Sequence, residues 1–282
     1  ENRGSVPLKE ENVERLDEYM RAFNQPVSRV SLEQGEYANT GFTQWGASGL
    51  AAAWAEENTR ESIFNAFRRK ETFATTGTRI AVRFFGGYDL SSIDLNSESI
   101  VSEAYQKGVT MGSDLLNDEN KNPEFLVWAQ RDKNGAPLQR IQIIKGWIDA
   151  NSGRPEEKVF DVACSDGLQP DSLTNRCPDN GARVNINDCS ITPNVGSSEL
   201  KTIWKDPEFV PADKTFYYVR VLENPTCRWS TWDAIKAGFK PREGLHETIQ
   251  ERAWSSPIWY IPEQSDVEVI PLGGTIQLRN ID

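Results

Sequence analysis

Histidine is almost missing from this chain: among 282 residues there is one, His246. A hydrolytic metal centre needs several imidazoles and carboxylates held together, so a complete centre is not expected from these residues. A Ser-His-Asp triad would have to use His246, and no Gly-x-Ser-x-Gly elbow accompanies it. Within Gly244-Leu-His-Glu247 that histidine reads as an exposed loop residue. Long apolar runs are missing too, since none approaches the roughly 18 residues a membrane span requires. Positive charge is short: 31 Lys and Arg against 42 Asp and Glu leave a net charge of −11. An acidic surface repels phosphate backbones and anionic membranes, which excludes nucleic acid as an expected partner. The opening Glu1-Asn2-Arg3-Gly4 has neither an initiator Met nor a signal peptide, and is expected to be a processed or cut end.

What is present points to a packed, β-rich protein. Hydrophobic residues make up 38% and aromatics 10%, including nine Trp and twelve Phe, enough to build a core. After a loop-rich lead-in over 1–49, the segment 50–78 carries a helix. Asn58 or Thr59 can cap it, Glu61 has capping-box spacing from Asn58, and Ile63, Phe64 and Phe67 form an apolar stripe. A polar turn, Thr75-Thr-Gly-Thr-Arg79, then leads into Ile80, Val82 and Phe84 alternating on one face of a strand. Further strands are expected over 125–130, 140–149, 158–164, 216–223 and 256–261, with Asn134-Gly135 as a turn signal. Few helical patterns intervene, so the class is α+β, mostly β, with an antiparallel sandwich over 79–262. The tail 263–282 can add an edge strand around Val267 to Ile270.

Four cysteines, Cys164, Cys177, Cys189 and Cys227, follow no zinc-type spacing, and their even number favours two disulfides. Of three pairings, Cys164–Cys177 with Cys189–Cys227 is preferred. The first closes a short loop, and the second ties a polar excursion over 165–197 to a later strand. Disulfides imply an oxidising compartment, periplasmic or secreted. Glu57 stands beside Glu56 at the helix entrance, where such pairs usually complement the dipole, although one can face a site. Amides of the 75–79 turn with the Arg79 guanidinium can hold an anion, against the plainer reading of a structural turn. Gly108 to Asp114 is an ordinary connection or a lid. Most of the tryptophans read as core, and Trp229 and Trp232, in a locally polar stretch, as a rim.

Several long strings in order resemble a bacterial family catalogued as domain-of-unknown-function family 3604. They are Trp54-Ala-Glu-Glu-Asn-Thr-Arg60, Arg69-Lys-Glu-Thr-Phe-Ala-Thr-Thr-Gly-Thr-Arg-Ile80, Val82-Arg-Phe-Phe-Gly-Gly87 and Arg140-Ile-Gln-Ile-Ile-Lys-Gly-Trp147. Phe216 through Trp232 and Ile249 through Tyr260 extend the likeness. The resemblance implies a relative of metal-dependent hydrolases of the PHP type (named after polymerase and histidinol phosphatase), whose distorted α/β barrel holds divalent metals with His and Asp. Their His-x-His and Asp-Thr-His motifs lie upstream of the matched region, and neither occurs here. The helix and turn of 50–78 would then be the end of that barrel, with Glu57, Thr76 and Arg79 bordering the active site. This implies the C-terminal portion of an exported hydrolase acting on a phosphate, sulfate or similar ester. The metal would be supplied by an N-terminal half of the same protein, and this chain would hold no metal ligands. The alternative, from another class, is a non-catalytic glycan-binding or interaction module using Trp229 and Trp232.

Overall fold

The computed structural model describes residues 6–7, 29–32, 35–38, 49–118, 121–149, 152–238, 240–241 and 243–262. Three short strands, β1 (Val6–Pro7), β2 (Arg29–Leu32) and β3 (Gly35–Ala38), form a small antiparallel sheet ordered β1-β3-β2. Gly35–Ala38 was expected as loop from its composition; pairing with both neighbours gives its backbone groups a ladder instead. Within the lead-in, Val13, Leu16 and Met20 have the spacing of a helical stripe; that stretch and the edge strand expected around Val267 to Ile270 lie outside the described residues.

Two larger sheets make the body of the protein. From β4 (Leu50–Ala53) the chain passes through α1 (Arg60–Arg68) to β5 (Thr72–Thr75), and β4 and β5 pair antiparallel. It then crosses to β6 (Ala81–Gly87), continues through α2 (Ile100–Lys107), β7 (Gly108–Thr110) and β8 (Asp114–Leu116), and reaches β9 (Glu124–Gln130). Two long strands follow, β10 (Leu138–Ile148) and β11 (Pro155–Cys164). After the excursion, which holds the small hairpin β12 (Val184–Asn185) and β13 (Ser190–Ile191), come β14 (Glu199–Lys205) and β15 (Lys214–Glu223). The chain finishes with β16 (Thr226–Cys227), α3 (Trp229–Ala237), β17 (Thr248–Ile249), β18 (Arg252–Ser255) and β19 (Ile258–Ile261). One sheet has the order β11-β10-β15-β18-β5-β4, with β19 bridging β15 and β8; the other is β14-β9-β6-β7. Every strand pair is antiparallel except β19 with β8. The class is thus α+β and mostly β, and no closed barrel forms among the described residues.

Alternation explains how the sheets close on each other. In β15, Thr215, Tyr217, Val219 and Val221 are buried, while Phe216, Tyr218 and Arg220 between them are only half-buried. Facing them, β9 contributes Phe125, Val127 and Ala129, and β6 contributes Val82 and Phe84. The Phe125 ring lies 4.3 Å from Tyr217 and 5.6 Å from Phe84, and Phe160 lies 5.0 Å from Trp204. Burying such side chains contributes roughly 1.5–3 kcal/mol each. A second cluster, with Phe85, Leu90, Ile100, Ala104 and Leu126, packs α2 onto the outer face of the four-stranded sheet. The strand expected over 256–261 forms as β19 from Ile258, and β18 precedes it across Pro257. Pro257 has no amide to donate and interrupts the ladder; Ser255 compensates by accepting from the Val219 amide (2.9 Å). Both pieces therefore pair with β15.

Helix α1 departs from expectation in its packing. Thr59 is the cap, accepting the Ser62 amide at 3.2 Å. Yet Phe64 and Phe67 are 58% and 54% exposed, and Ala66 is the helix's buried residue. Of the expected apolar stripe, Phe64 and Phe67 face outward while Ile63 is half-buried. The disulfides are Cys164–Cys177 and Cys189–Cys227, the preferred pairing, and no cysteine is free. Two disulfides suit an oxidising environment. No helix among the described residues is long and apolar enough to cross a membrane.

An ion pair is buried in the core itself. Lys145 on β10 meets Asp206 at 2.7 Å, Asp206 also accepts from the Tyr217 hydroxyl (2.7 Å), and Lys145 donates to the Glu208 carbonyl (2.7 Å). Burial and the neighbouring Asp206 charge push the Tyr217 hydroxyl far above its ordinary value, so it stays a donor. Removing one partner from such a pair strands the other charge. Lys145→Ala should lower unfolding free energy by about 3–5 kcal/mol in urea titrations. Lys145→Met combined with Asp206→Asn should recover most of it, and no recovery would mean that packing rather than charge sets the cost.

Candidate functional site

The Thr-Gly-Thr-Arg turn sits where the chain leaves the eight-stranded sheet at β5 and enters the four-stranded sheet at β6. The segment 131–137 makes the reverse crossing, from β9 to β10, at the same end of the sandwich. Asp132 joins the two crossings. Its carboxylate accepts the Arg79 amide (2.8 Å) and the Asn134 amide (2.9 Å), which together hold it below the usual carboxylate range. Gly135 closes the expected turn by donating its amide to the Asp132 carbonyl (3.0 Å). Thr76 is fixed to the strand beside it. Its amide donates to the Arg252 carbonyl (3.0 Å), its hydroxyl accepts the Arg252 amide (2.9 Å), and the hydroxyl donates to the Glu251 carboxylate.

Beneath these crossings lies Glu223, the last residue of β15, with 0% exposure. Neither carboxylate oxygen meets a donor in full hydrogen-bond geometry; the Thr78 hydroxyl and the Ala136 amide approach it and offset only part of its burial. Burial, reinforced by the charges of Glu251 and Asp132, raises its pKa to about 7. It is the last inward position of the alternation that places Tyr217, Val219 and Val221 in the core. The sequence gives no local sign of this, because a Glu at a strand end usually reads as solvated.

On the outer side of the same end is a basic depression of about 560 Å3, lined among others by Arg140, Arg183, Arg228 and Arg252, with His246 at its margin. Against four guanidinium groups the lining holds one carboxylate, Asp179, which pairs with Arg183 at 2.5 Å. Arg140 is backed by buried Asp161 at 3.2 Å. Arg228 is 6% exposed, lies 4.9 Å over the Trp229 ring and donates to Ser230 (2.7 Å); burial pulls its guanidinium below the ordinary value. The excursion supplies one wall. Asp161 accepts the Cys177 amide (2.7 Å), and Cys189 is bonded to Cys227, the residue before Arg228. The two disulfides therefore place Asp179 and Arg183 opposite Arg228. In a chain of net charge −11 this is an unusual concentration of positive groups.

A larger concavity of about 1170 Å3 lies at the other end of β10, around Trp147, Phe216 and Trp259. Its walls are mainly apolar, and two glutamates and one lysine are its charged residues.

The family described as "Protein of unknown function (DUF3604)" matches residues 10–262. The chain belongs to the DUF3604 family. No curated protein and no solved structure matches it. Of the residues singled out for this DUF3604 chain, Thr76 and Arg79 are brought to the same crossing, whereas Glu57 stays exposed ahead of α1 with its amide donating to the Ser62 hydroxyl (3.1 Å). Trp229 and Trp232, read from the sequence as a rim, lie in the first turn of α3. Each has a cation over its ring, Arg228 for Trp229 and Lys236 for Trp232 (5.5 Å). His246 is exposed, as read from the sequence, and lies at the rim of the depression. Gly108 to Asp114 is a connection, built from β7, a turn and β8. Among the described residues no group of three or more His, Cys, Asp or Glu side chains is placed to hold a metal ion. This part does not by itself fit the divalent metal that the resemblance implies, and no chemistry below runs through one.

The Glu223 carboxyl makes a pH prediction with a definite sign. Its folded-state value, about 7, lies above the ordinary 4.5. Its contribution is thus fully present below about pH 4.5 and is lost as pH rises through about 7. Glu223→Gln should therefore leave stability near pH 4.5 unchanged and raise it by roughly 1–3 kcal/mol at pH 8 in denaturant titrations. Equal effects at both pH values would show that the carboxyl is not the group responsible.

Proposed function

We propose that this DUF3604 chain is part of an exported hydrolase of the PHP-like kind, and that its basic depression holds the anionic group of a phosphate- or sulfate-type ester. The observation that carries the reading is the convergence of Arg140, Arg183, Arg228 and Arg252 on one depression in an otherwise acidic protein. Guanidinium groups match the oxygens of such anions in pairs, and a partly desolvated one binds them more strongly than an exposed lysine does. The guanidiniums would stabilise charge that develops as the ester bond breaks. Two disulfides support export, and periplasm or cell exterior both supply the oxidising conditions.

The metal belongs, in this proposal, to polypeptide outside the described residues. The outward stripe of α1 supports that division, because exposed Phe64 and Phe67 provide an apolar face on the segment that the resemblance assigns to the end of the barrel. The substrate is a small ester rather than a nucleic acid, as the overall charge requires.

Titration calorimetry with inorganic sulfate and phosphate tests the anion site. Both anions should bind, and Arg252→Gln and Arg228→Gln should each weaken them by about tenfold or more, as expected for losing a charge-assisted hydrogen bond. Undiminished binding in both variants, or none in the parent protein, would contradict the proposal. Mild reduction of Cys189–Cys227 should weaken binding as well, because it frees the wall that carries Arg183.

A further inference from the structure

The sandwich end carries a second property, independent of anion binding. Three crossings between the sheets meet there: the 75–79 turn, the segment 131–137 and the excursion between β11 and β14. The 75–79 turn is held by the Arg79 amide to Asp132 and by Thr76 to Glu251 and to the Arg252 backbone. Two of these anchors are carboxylates. Below them Glu223 is fully enclosed, and no donor reaches it in full hydrogen-bond geometry. Gly135 lets the chain pass directly over it, since a Cβ there would stand 2.8 Å from a Glu223 oxygen. The charged groups acting on Glu223 are Glu251, from the strand beside the turn, and Asp132, from the second crossing; both are acidic. The other polar neighbours are the Thr78 hydroxyl and the Ala136 amide.

We propose that Glu223 is a pH-operated latch: neutral, it lets the 75–79 turn close over it, and ionised, it opens that turn to water. A neutral carboxyl is a tolerable occupant of an enclosed pocket, whereas an isolated carboxylate there is not. A third negative charge between Asp132 and Glu251 also repels the two groups that hold the turn down. Admitting water is the cheapest relief, and the short polar turn is the lid with least apolar area to lose. Protonation consumes no other reactant; the proton comes from and returns to solvent. The raised pKa of this carboxyl sets the working range near neutrality. Thr76 is bonded to the Arg252 backbone, so opening also disturbs one guanidinium of the basic depression. That consequence alone rests on the anion-binding reading.

Hydrogen–deuterium exchange followed by mass spectrometry on the intact chain tests the latch. Rates are corrected for the intrinsic pH dependence of exchange and compared between pH 5.5 and 8.5. Peptides covering residues 75–79 should lose about tenfold or more of their protection across that range, while peptides in β10 and β15 keep theirs. Glu223→Gln should abolish the change and remain protected throughout. Glu251→Gln removes a neighbouring charge and should shift the midpoint to lower pH, which keeps the test decisive if the first variant folds poorly. A pH-independent turn in the parent, or the same profile in both variants, would overturn the latch. Sulfate affinity measured over the same pH range separates the two proposals, since the exchange result does not depend on whether an anion binds.

Discussion

The contact between Phe125 and Tyr217 is the point on which both sheets depend. It sits at the centre of the sandwich, with Phe84, Phe160 and Trp204 around it, and ties the eight-stranded sheet to the four-stranded one. Tyr217 can occupy that place because Asp206 accepts a hydrogen bond from its hydroxyl and Lys145 neutralises Asp206. Aromatic packing and a satisfied polar triad are thus one arrangement, and the strands that carry them fix the rest of the molecule. β15 is the common element, pairing with β10 along one edge and with β18 and β19 along the other.

From that core the functional end follows by extension. The inward alternation of β15 runs one position past the apolar residues and places Glu223 beneath the crossings. The backbone then continues through Cys227 to Arg228, where a disulfide brings in the excursion with Arg183. Inside and outside of the same sandwich end therefore have opposite character: carboxylates within, guanidiniums without. The segment 250–252 separates them, with Glu251 turned toward Thr76 and with Gln250 and Arg252 lining the depression.

Much of the fold was legible because it rests on local pattern. Alternation marked the strands near 81–87, 124–130, 138–148 and 214–223, and loop length with cysteine spacing favoured the observed disulfides. The turn containing Thr76 and Arg79 could be singled out from its small polar residues. Other parts were hidden by the same logic. Helix α3 has weak amphipathic character, and β14 reads as a polar run, Glu199-Leu-Lys-Thr-Ile-Trp-Lys205, until its pairing with β9 is known. The arginines of the depression lie far apart in the chain, at 140, 183, 228 and 252, so no local spacing announces them. Phe64 and Phe67 carry a real stripe, but which surface a stripe meets is decided by tertiary packing alone.

The most direct test of the anion-binding account is the position of a heavy anion in a crystal of this chain soaked in selenate. Anomalous scattering should place selenium among the guanidiniums of Arg140, Arg228 and Arg252, and lose that peak in the Arg252→Gln protein. Selenate bound elsewhere with that depression empty, or a peak indifferent to the substitution, would contradict it.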